Sequence, residues 1–240
     1  MQRKRLFGLD VFKGWAILLM IAYHTVFDLN YFHFISININ KDIFWVNFRY
    51  LIVSMFLVSV GISMYLVHYP AIHWNKIYKR TLILGSASCL ISIATYLVFP
   101  HSWVYFGILH FILVASWIGL LFLQHPLLSL MTAISILIGS AMGWLQMHWL
   151  FQILKTPLHL PPHYTEDLLQ PFPWFAAILI GITLSYYAYP IKIFHYSFFA
   201  SQNSFNKTLA FLGRHALTLY LIHLPLLFYC FMLIYKIITP

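Results

Sequence analysis

DVFKGWAILLMIAYHTVFDLNYF, residues Asp10 to Phe32, is an apolar run with a histidine and an aspartate set inside it at positions 24 and 28. The apolar part, from Val11 onward, is longer than the hydrophobic region of a secretory signal, and no small-x-small cleavage site follows it. It reads as a retained membrane helix preceded by the basic residues Arg3, Lys4 and Arg5. Similar runs recur along all 240 residues, of which 62% are hydrophobic and 8% charged. A soluble domain of this size needs roughly a quarter of its residues charged. Lipid contact takes the place of the missing polar surface, and in lipid only helices or closed barrels satisfy their backbone groups. The runs are about 20 residues long rather than alternating segments of about 10, so helices are expected.

The expected architecture is therefore an all-α integral membrane protein, a single domain over 1–240 with about seven transmembrane helices. The expected spans are 10–32, 44–67, 80–99, 104–123, 127–147, 173–190 and 215–237. Basic residues orient it. With the N-terminus cytoplasmic, Arg3, Lys4, Arg5, Lys76, Lys79, Arg80, Lys192, Lys207 and Arg214 lie inside, and Lys41, Arg49, Lys155 and Lys236 outside. That excess follows the positive-inside rule. The +9 net charge is spread over loops rather than gathered into one stripe, which gives no nucleic-acid surface. Cys89 and Cys230 lie in apolar stretches and read as buried small hydrophobes rather than a disulfide.

The outer loop 148–172 holds Pro157, Pro161, Pro162, Pro171, Glu166 and Asp167, and either covers an outward-facing site or only connects two spans. The inner loop 191–213 is rich in Ser, Asn and Phe and suits the membrane surface. No repeat suggests an inverted-repeat transporter.

Asp28 is the unusual acid, because a carboxylate within a span costs several kcal/mol unless it is paired or hydrated. His24 lies one helical turn before it on the same face, so the carboxylate is expected to orient the imidazole. At 14 residues past Asp10, His24 falls about 21 Å along the helix, in the outer half of the bilayer. A merely solvated His–Asp pair near the outer headgroups is the structural alternative. His110 and His223 are the other histidines inside spans, each equally readable as an interhelical hydrogen-bond partner, and His33 near the end of the first span is a rival. The thirteen histidines lack metal-site spacing, so no metal is expected. Lys76, Lys79, Arg80 and Arg214 suit phosphates, or anionic lipid headgroups. Lys13 and Asp10 share a face of the first turn.

Several blocks carry a resemblance: Arg5-x4-Asp10-Val-Phe-Lys13-Gly14, then Met20-x3-His24-x3-Asp28-Leu29-Asn30, Ser54-Met-Phe-Leu-x2-Val-Gly61-Ile, Trp103-x-Tyr-Phe-Gly-Ile-Leu-His110, Pro173-Trp-Phe, and Leu212-Gly-Arg-His-Ala-Leu-x2-Tyr-Leu-Ile-His223-x-Pro225. In this order, along nearly the whole chain, they resemble the bacterial heparan-alpha-glucosaminide N-acetyltransferase catalytic-domain family. The resemblance implies a membrane acetyltransferase, or transferase-type enzyme, that takes acetyl from cytoplasmic acetyl-CoA to a sugar or lipid-linked glycan on the far side. It also implies a bacterial inner membrane. The wider class of membrane sugar acyltransferases carries Arg-x10-His in its first helix; the matching pair here is Lys13-x10-His24, and Lys lacks the bidentate fork of Arg. The implied catalytic set is His24, Asp28, His110 and His223, with Tyr220 among the oxyanion or acceptor contacts. The implied donor-binding set is Lys13, Lys79, Arg80 and Arg214. A proton-coupled transporter using the His24–Asp28 pair, and a noncatalytic scaffold, are the competing readings. Membrane lipids are partners in each, and the oligomeric state, a homo-oligomer included, stays open.

Overall fold

The apolar run that opens the chain folds as one continuous helix, α1, over Phe7–Tyr31. Asp10 lies in its first turn and is buried, where the unpaired N–H groups of a helix start favour an acid. The computed structural model describes residues 6–145, 148–157, 160–161, 165 and 167–238. Among them the protein is all-helical, without a strand; the only extended pairing is an isolated bridge between Phe106 and Leu168. After α1 come α2 (Ile43–His68), α3 (Trp74–Val98), α4 (Ile108–Gly119, prolonged by a 3-10 turn, Leu120–Phe122), α5 (Pro126–Ala141) and α6 (His148–Lys155). The remaining helices are α7 (Pro171–Tyr186), α8 (Tyr189–Phe194), α9 (Ser197–Ala200), α10 (Ser204–Arg214) and α11 (Ala216–Ile238).

Four helices, α1, α2, α3 and α11, are long and apolar enough to cross a membrane. Their outward faces are apolar, with Leu82, Leu97 and Ile237 each more than 70% exposed, the pattern of a lipid-facing surface. The chain is an integral membrane protein. Three of the seven expected spans are shorter apolar helices. At 16 residues, α5 and α7 reach about 24 Å, against about 30 Å of hydrocarbon.

Local chemistry explains where the expected boundaries moved. Helix α5 stops at Ala141 because Gly143 takes a left-handed φ of 74°. The Gly143 N–H then donates to Ser140 O (3.1 Å) and the Trp144 N–H to Gly139 O (2.8 Å), a Schellman stop. Helix α4 starts at Ile108 rather than 104 because α3 side chains hold Val104 in the connecting loop. Thr95 Oγ1 accepts from the Val104 N–H (3.0 Å), and the Ser92 hydroxyl donates to Val104 O (2.7 Å). Lys76 and Lys79 lie inside α3 rather than in the loop before it, while Arg80 and Arg49 lie inside α3 and α2, within the expected spans. The loop expected over 191–213 contains α8, α9 and α10. Asn203 caps α10 by accepting from the Asn206 N–H (2.7 Å), and the buried Asn206 amide donates to Phe198 O and Ser201 O. Part of the expected outer loop is α6; Pro162 and Glu166 lie outside the described residues. Cys89 and Cys230 are free, as expected, but exposed rather than buried. Each stands on the outward face of a long apolar helix, where lipid replaces the core.

The chain forms two compact units. The first comprises Leu57–Tyr189, the second residues 2–56 and 190–240. In the first, α5 packs along α7 and α3 along α4. Gly61 and Gly181 make the crossing of α2 and α7 close. A Cβ on Gly61 would strike Ile178 O, and one on Gly181 would strike Val58 O. Small residues of this kind let membrane helices approach backbone to backbone. In the second unit, α1 lies against α10 and α11. The same reciprocal arrangement recurs there: a Cβ on Gly14 would meet Leu209 O, and one on Gly213 would meet Asp10 O.

Thr165 and residues 167–169 fold back over the start of α4. Thr165 donates to Trp103 O (2.7 Å), the Leu169 N–H donates to Phe106 O (3.1 Å), and Asp167 Oδ2 accepts from the Ile108 N–H (3.3 Å). The carboxylate thus caps a helix whose N-cap residue, Gly107, has no side chain to do so. Asp167→Ala is expected to destabilise the protein by about 1 kcal/mol. It would be seen as a melting temperature a few degrees lower, with Asp167→Asn losing less.

Candidate active site

His24 on α1 and His223 on α11 come together in the second unit, with Asp28 one turn further along α1. The His24 and His223 rings are 5.0 Å apart, centre to centre, and inclined at 62°. Residues 24 and 223 are 199 positions apart, and their meeting follows from the packing of α1 on α11.

The three groups share one property. His24 Nδ1, Asp28 Oδ2 and His223 Nε2 are buried atoms with no hydrogen-bond partner among the described residues. Buried polar atoms are nearly always paired, and each exception calls for a functional or solvent explanation. Here three exceptions belong to neighbouring ionisable side chains, within a membrane segment where such residues are rare.

His223 has a defined tautomer. Its Nδ1 lies 3.1 Å from Leu219 O and 2.8 Å from Tyr220 O. Both are acceptors, so the neutral ring carries its hydrogen on Nδ1 and keeps a lone pair on Nε2. Among the described residues no hydrogen bond fixes the tautomer of His24.

The hydrogen bond expected from Asp28 to His24 is not formed: Nδ1 and Oδ2 each stand without a partner. One helical turn puts the two residues on one face but does not by itself bring the carboxylate into hydrogen-bonding contact with the ring. Asp28 remains fully enclosed at 2% exposure, one turn along the same face.

Two residues that the sequence reading passed over adjoin the pair. Tyr23, buried, stacks edge-on to His24 at 5.5 Å, and its phenol is within hydrogen-bonding reach of Arg49. Arg49 was placed in an outer segment, yet it is a half-buried cation six residues into an otherwise apolar helix. That in itself was the signal available.

His110 belongs to the first unit, and both its ring nitrogens are engaged. The Gly107 N–H donates to Nδ1 (3.3 Å), which puts the ring hydrogen on Nε2, 3.1 Å from Ser92 Oγ. The Ser92 hydroxyl in turn donates to Val104 O. Of the four basic residues expected to hold the donor, Lys79 is exposed and Arg80 half-buried on α3 in the first unit. Lys13 is half-buried on α1, and Arg214 is exposed at the end of α10, its Nε donating to Ala210 O (3.2 Å), both in the second unit. No group of His, Cys, Asp or Glu among the described residues is arranged to hold a metal ion.

Long apolar helices, glycine-mediated crossings and a buried, unsatisfied His–His–Asp cluster define a membrane-embedded protein with an ionisable centre. The family model described as heparan-alpha-glucosaminide N-acetyltransferase, catalytic, matches residues 5–225, and the chain belongs to that family. Membership places it among membrane acetyltransferases. No curated protein and no solved structure matches it.

Proposed function

We propose that the chain transfers an acetyl group from acetyl-CoA on the cytoplasmic side to a sugar or lipid-linked glycan on the other, and that His24 carries the chemistry. The observation that supports this most is the pairing of His24 with His223, both with an uncommitted buried nitrogen, beside an uncommitted carboxylate. Acyl transfer needs a base for the acceptor and a donor for the developing oxyanion. The three unpaired atoms fit a bound polar substrate, and the basic residues of the chain suit the phosphates of CoA.

His24 takes the proton from the acceptor's hydroxyl or amine as that oxygen or nitrogen bonds to the acetyl carbon. The carbon–sulfur bond breaks, and the imidazolium returns the proton to the leaving sulfur. His223, its Nδ1–H held by two carbonyls of its own helix, presents Nε2 as a second acceptor for the same proton. Asp28, one turn along the same helix face, offers its unpaired Oδ2 as a polar contact for a bound substrate. Tyr23 and Tyr220 are the phenols nearest the two imidazoles and suit the oxyanion. His110, engaged at both nitrogens, positions the loop that precedes α4 rather than joining the reaction.

The test is acetyl-CoA binding and turnover by the full chain in nanodiscs, wild type beside His223→Ala and Asp28→Asn. Each variant is expected to bind donor within about threefold of wild type while turning over at least about tenfold more slowly. Failure of the folded wild type to bind acetyl-CoA, or full turnover in both variants, would refute the proposal.

A further inference from the structure

Arg80 stands in a cleft walled by α2, α3 and α4, lined by His68, Thr81, Ser116, Trp117 and apolar residues. Its Nε is buried with no hydrogen-bond partner among the described residues, while the side chain as a whole is half-buried at the cleft. A guanidinium presents five donors in a fixed fork.

The neighbours are committed in a way that leaves donors over. His68, itself buried, accepts at Nδ1 from the His73 N–H (3.3 Å). The neutral ring therefore carries its hydrogen on Nε2. Thr81 Oγ1 accepts from the Trp117 indole N–H (3.1 Å), which leaves its own hydroxyl hydrogen to give. Only Ser116 turns its hydrogen elsewhere, to Ile112 O (2.6 Å). The exposed cations Lys76 and Lys79 flank the same end of α3.

No carboxylate lines the cleft. In this unit Asp167 is the one described acid, and it caps α4 at Ile108. The cleft is at Ser116, eight residues further on and about 12 Å along the helix. The surroundings supply cation and hydrogen-bond donors and no competing anion.

We infer that this cleft binds a phosphate group, with Arg80 as its principal ligand and His68 and Thr81 as supporting donors. A phosphate matches the guanidinium fork in two parallel hydrogen bonds and is stabilised further by the flanking lysines. Two sources share this chemistry, the phosphates of the CoA donor and the headgroup of an anionic phospholipid. In the first case the inference rests on the acetyl-transfer proposal; in the second it stands without it.

The experiment uses the full chain in two settings. In phosphatidylcholine nanodiscs, CoA and inorganic pyrophosphate are titrated into wild type, Arg80→Gln and Thr81→Val. In mixed micelles, native mass spectrometry counts the phosphatidylglycerol retained by each. Arg80→Gln is expected to weaken one of these ligands by at least about tenfold, and Thr81→Val by about threefold. Loss of CoA and pyrophosphate binding assigns the cleft to the donor, and loss of phosphatidylglycerol assigns it to lipid. Wild-type binding of neither, or variants that bind both within twofold of wild type, would overturn the inference. Should Arg80→Gln fail to fold, an unchanged Thr81→Val overturns it alone. Acetyl transfer that persists at saturating donor while phosphate binding is unaffected would leave the proposed function intact and remove only this site.

Discussion

His24→Ala is expected to lower acetyl transfer by about 10²- to 10⁴-fold, the usual contribution of a positioned general base. The melting temperature should hardly change. His24 makes no hydrogen bond that its removal would orphan, and its Nδ1 is already unpaired. Truncation removes a buried polar atom that has no partner, so any packing loss is partly offset. The measurement is turnover of acetyl-CoA with donor affinity followed in parallel. Binding retained with turnover lost places His24 at the bond-making step. Turnover within threefold of wild type would move the chemistry elsewhere, with His223 and its Nε2 lone pair next to be tested.

The second large effect is structural. Gly61→Val is expected to abolish or severely reduce the folded protein. The added Cβ alone would overlap Ile178 O, a backbone atom that cannot swing aside. Parting α2 from α7 is the only relief, and it would also undo the reciprocal contact of Gly181 with Val58 O. Overpacking in a filled core costs about 1–3 kcal/mol, and backbone collisions more. Gly85→Ala is the matched control. Its nearest neighbour would be Leu113 Cδ2 at 3.9 Å, an ordinary contact. Alanine in a helix is better than glycine by about 0.5–1 kcal/mol, so this variant should melt at or above wild type. Thermal unfolding in detergent, read with recovery from size exclusion, checks both. Equal behaviour of the two variants would remove the argument from close approach.

The first helix, its two ionisable residues and the family were all legible in the sequence. A charge inside an apolar run is a one-dimensional signal, and residues 10–32 announce it. Helix ends were less legible. The first turns of α3 carry Lys76 and Lys79, so hydropathy alone placed them outside the span, although the backbone is helical from Trp74. The end of α5 was available in principle, since Met142-Gly143-Trp144 holds the glycine its stop requires, but the apolar residues beyond masked it. The stretch 191–213 concealed three helices because its aromatic and small polar residues carry no span-length hydropathy.

The site divides in the same way. Helical periodicity put His24 and Asp28 on one face, and they are; it says nothing of whether the carboxylate and the ring meet in a hydrogen bond. The meeting of His24 with His223 and the engagement of His110 by Gly107 and Ser92 are tertiary facts, fixed by which helices pack together. Asp167, read as a charge in a long loop, instead completes the start of α4 across 59 residues of sequence.

The two free thiols give the molecule native reporters. Cys89 lies in the first unit and Cys230 in the second, each exposed on a long apolar helix. A lipid-soluble, thiol-selective spin label should therefore attach once to each unit without any engineered cysteine. Since thiol attack proceeds through the thiolate, which an apolar setting disfavours, charged aqueous reagents should label both positions slowly. The distance between the labels, followed as acetyl-CoA or acceptor is added, would report whether the two units move during a catalytic cycle.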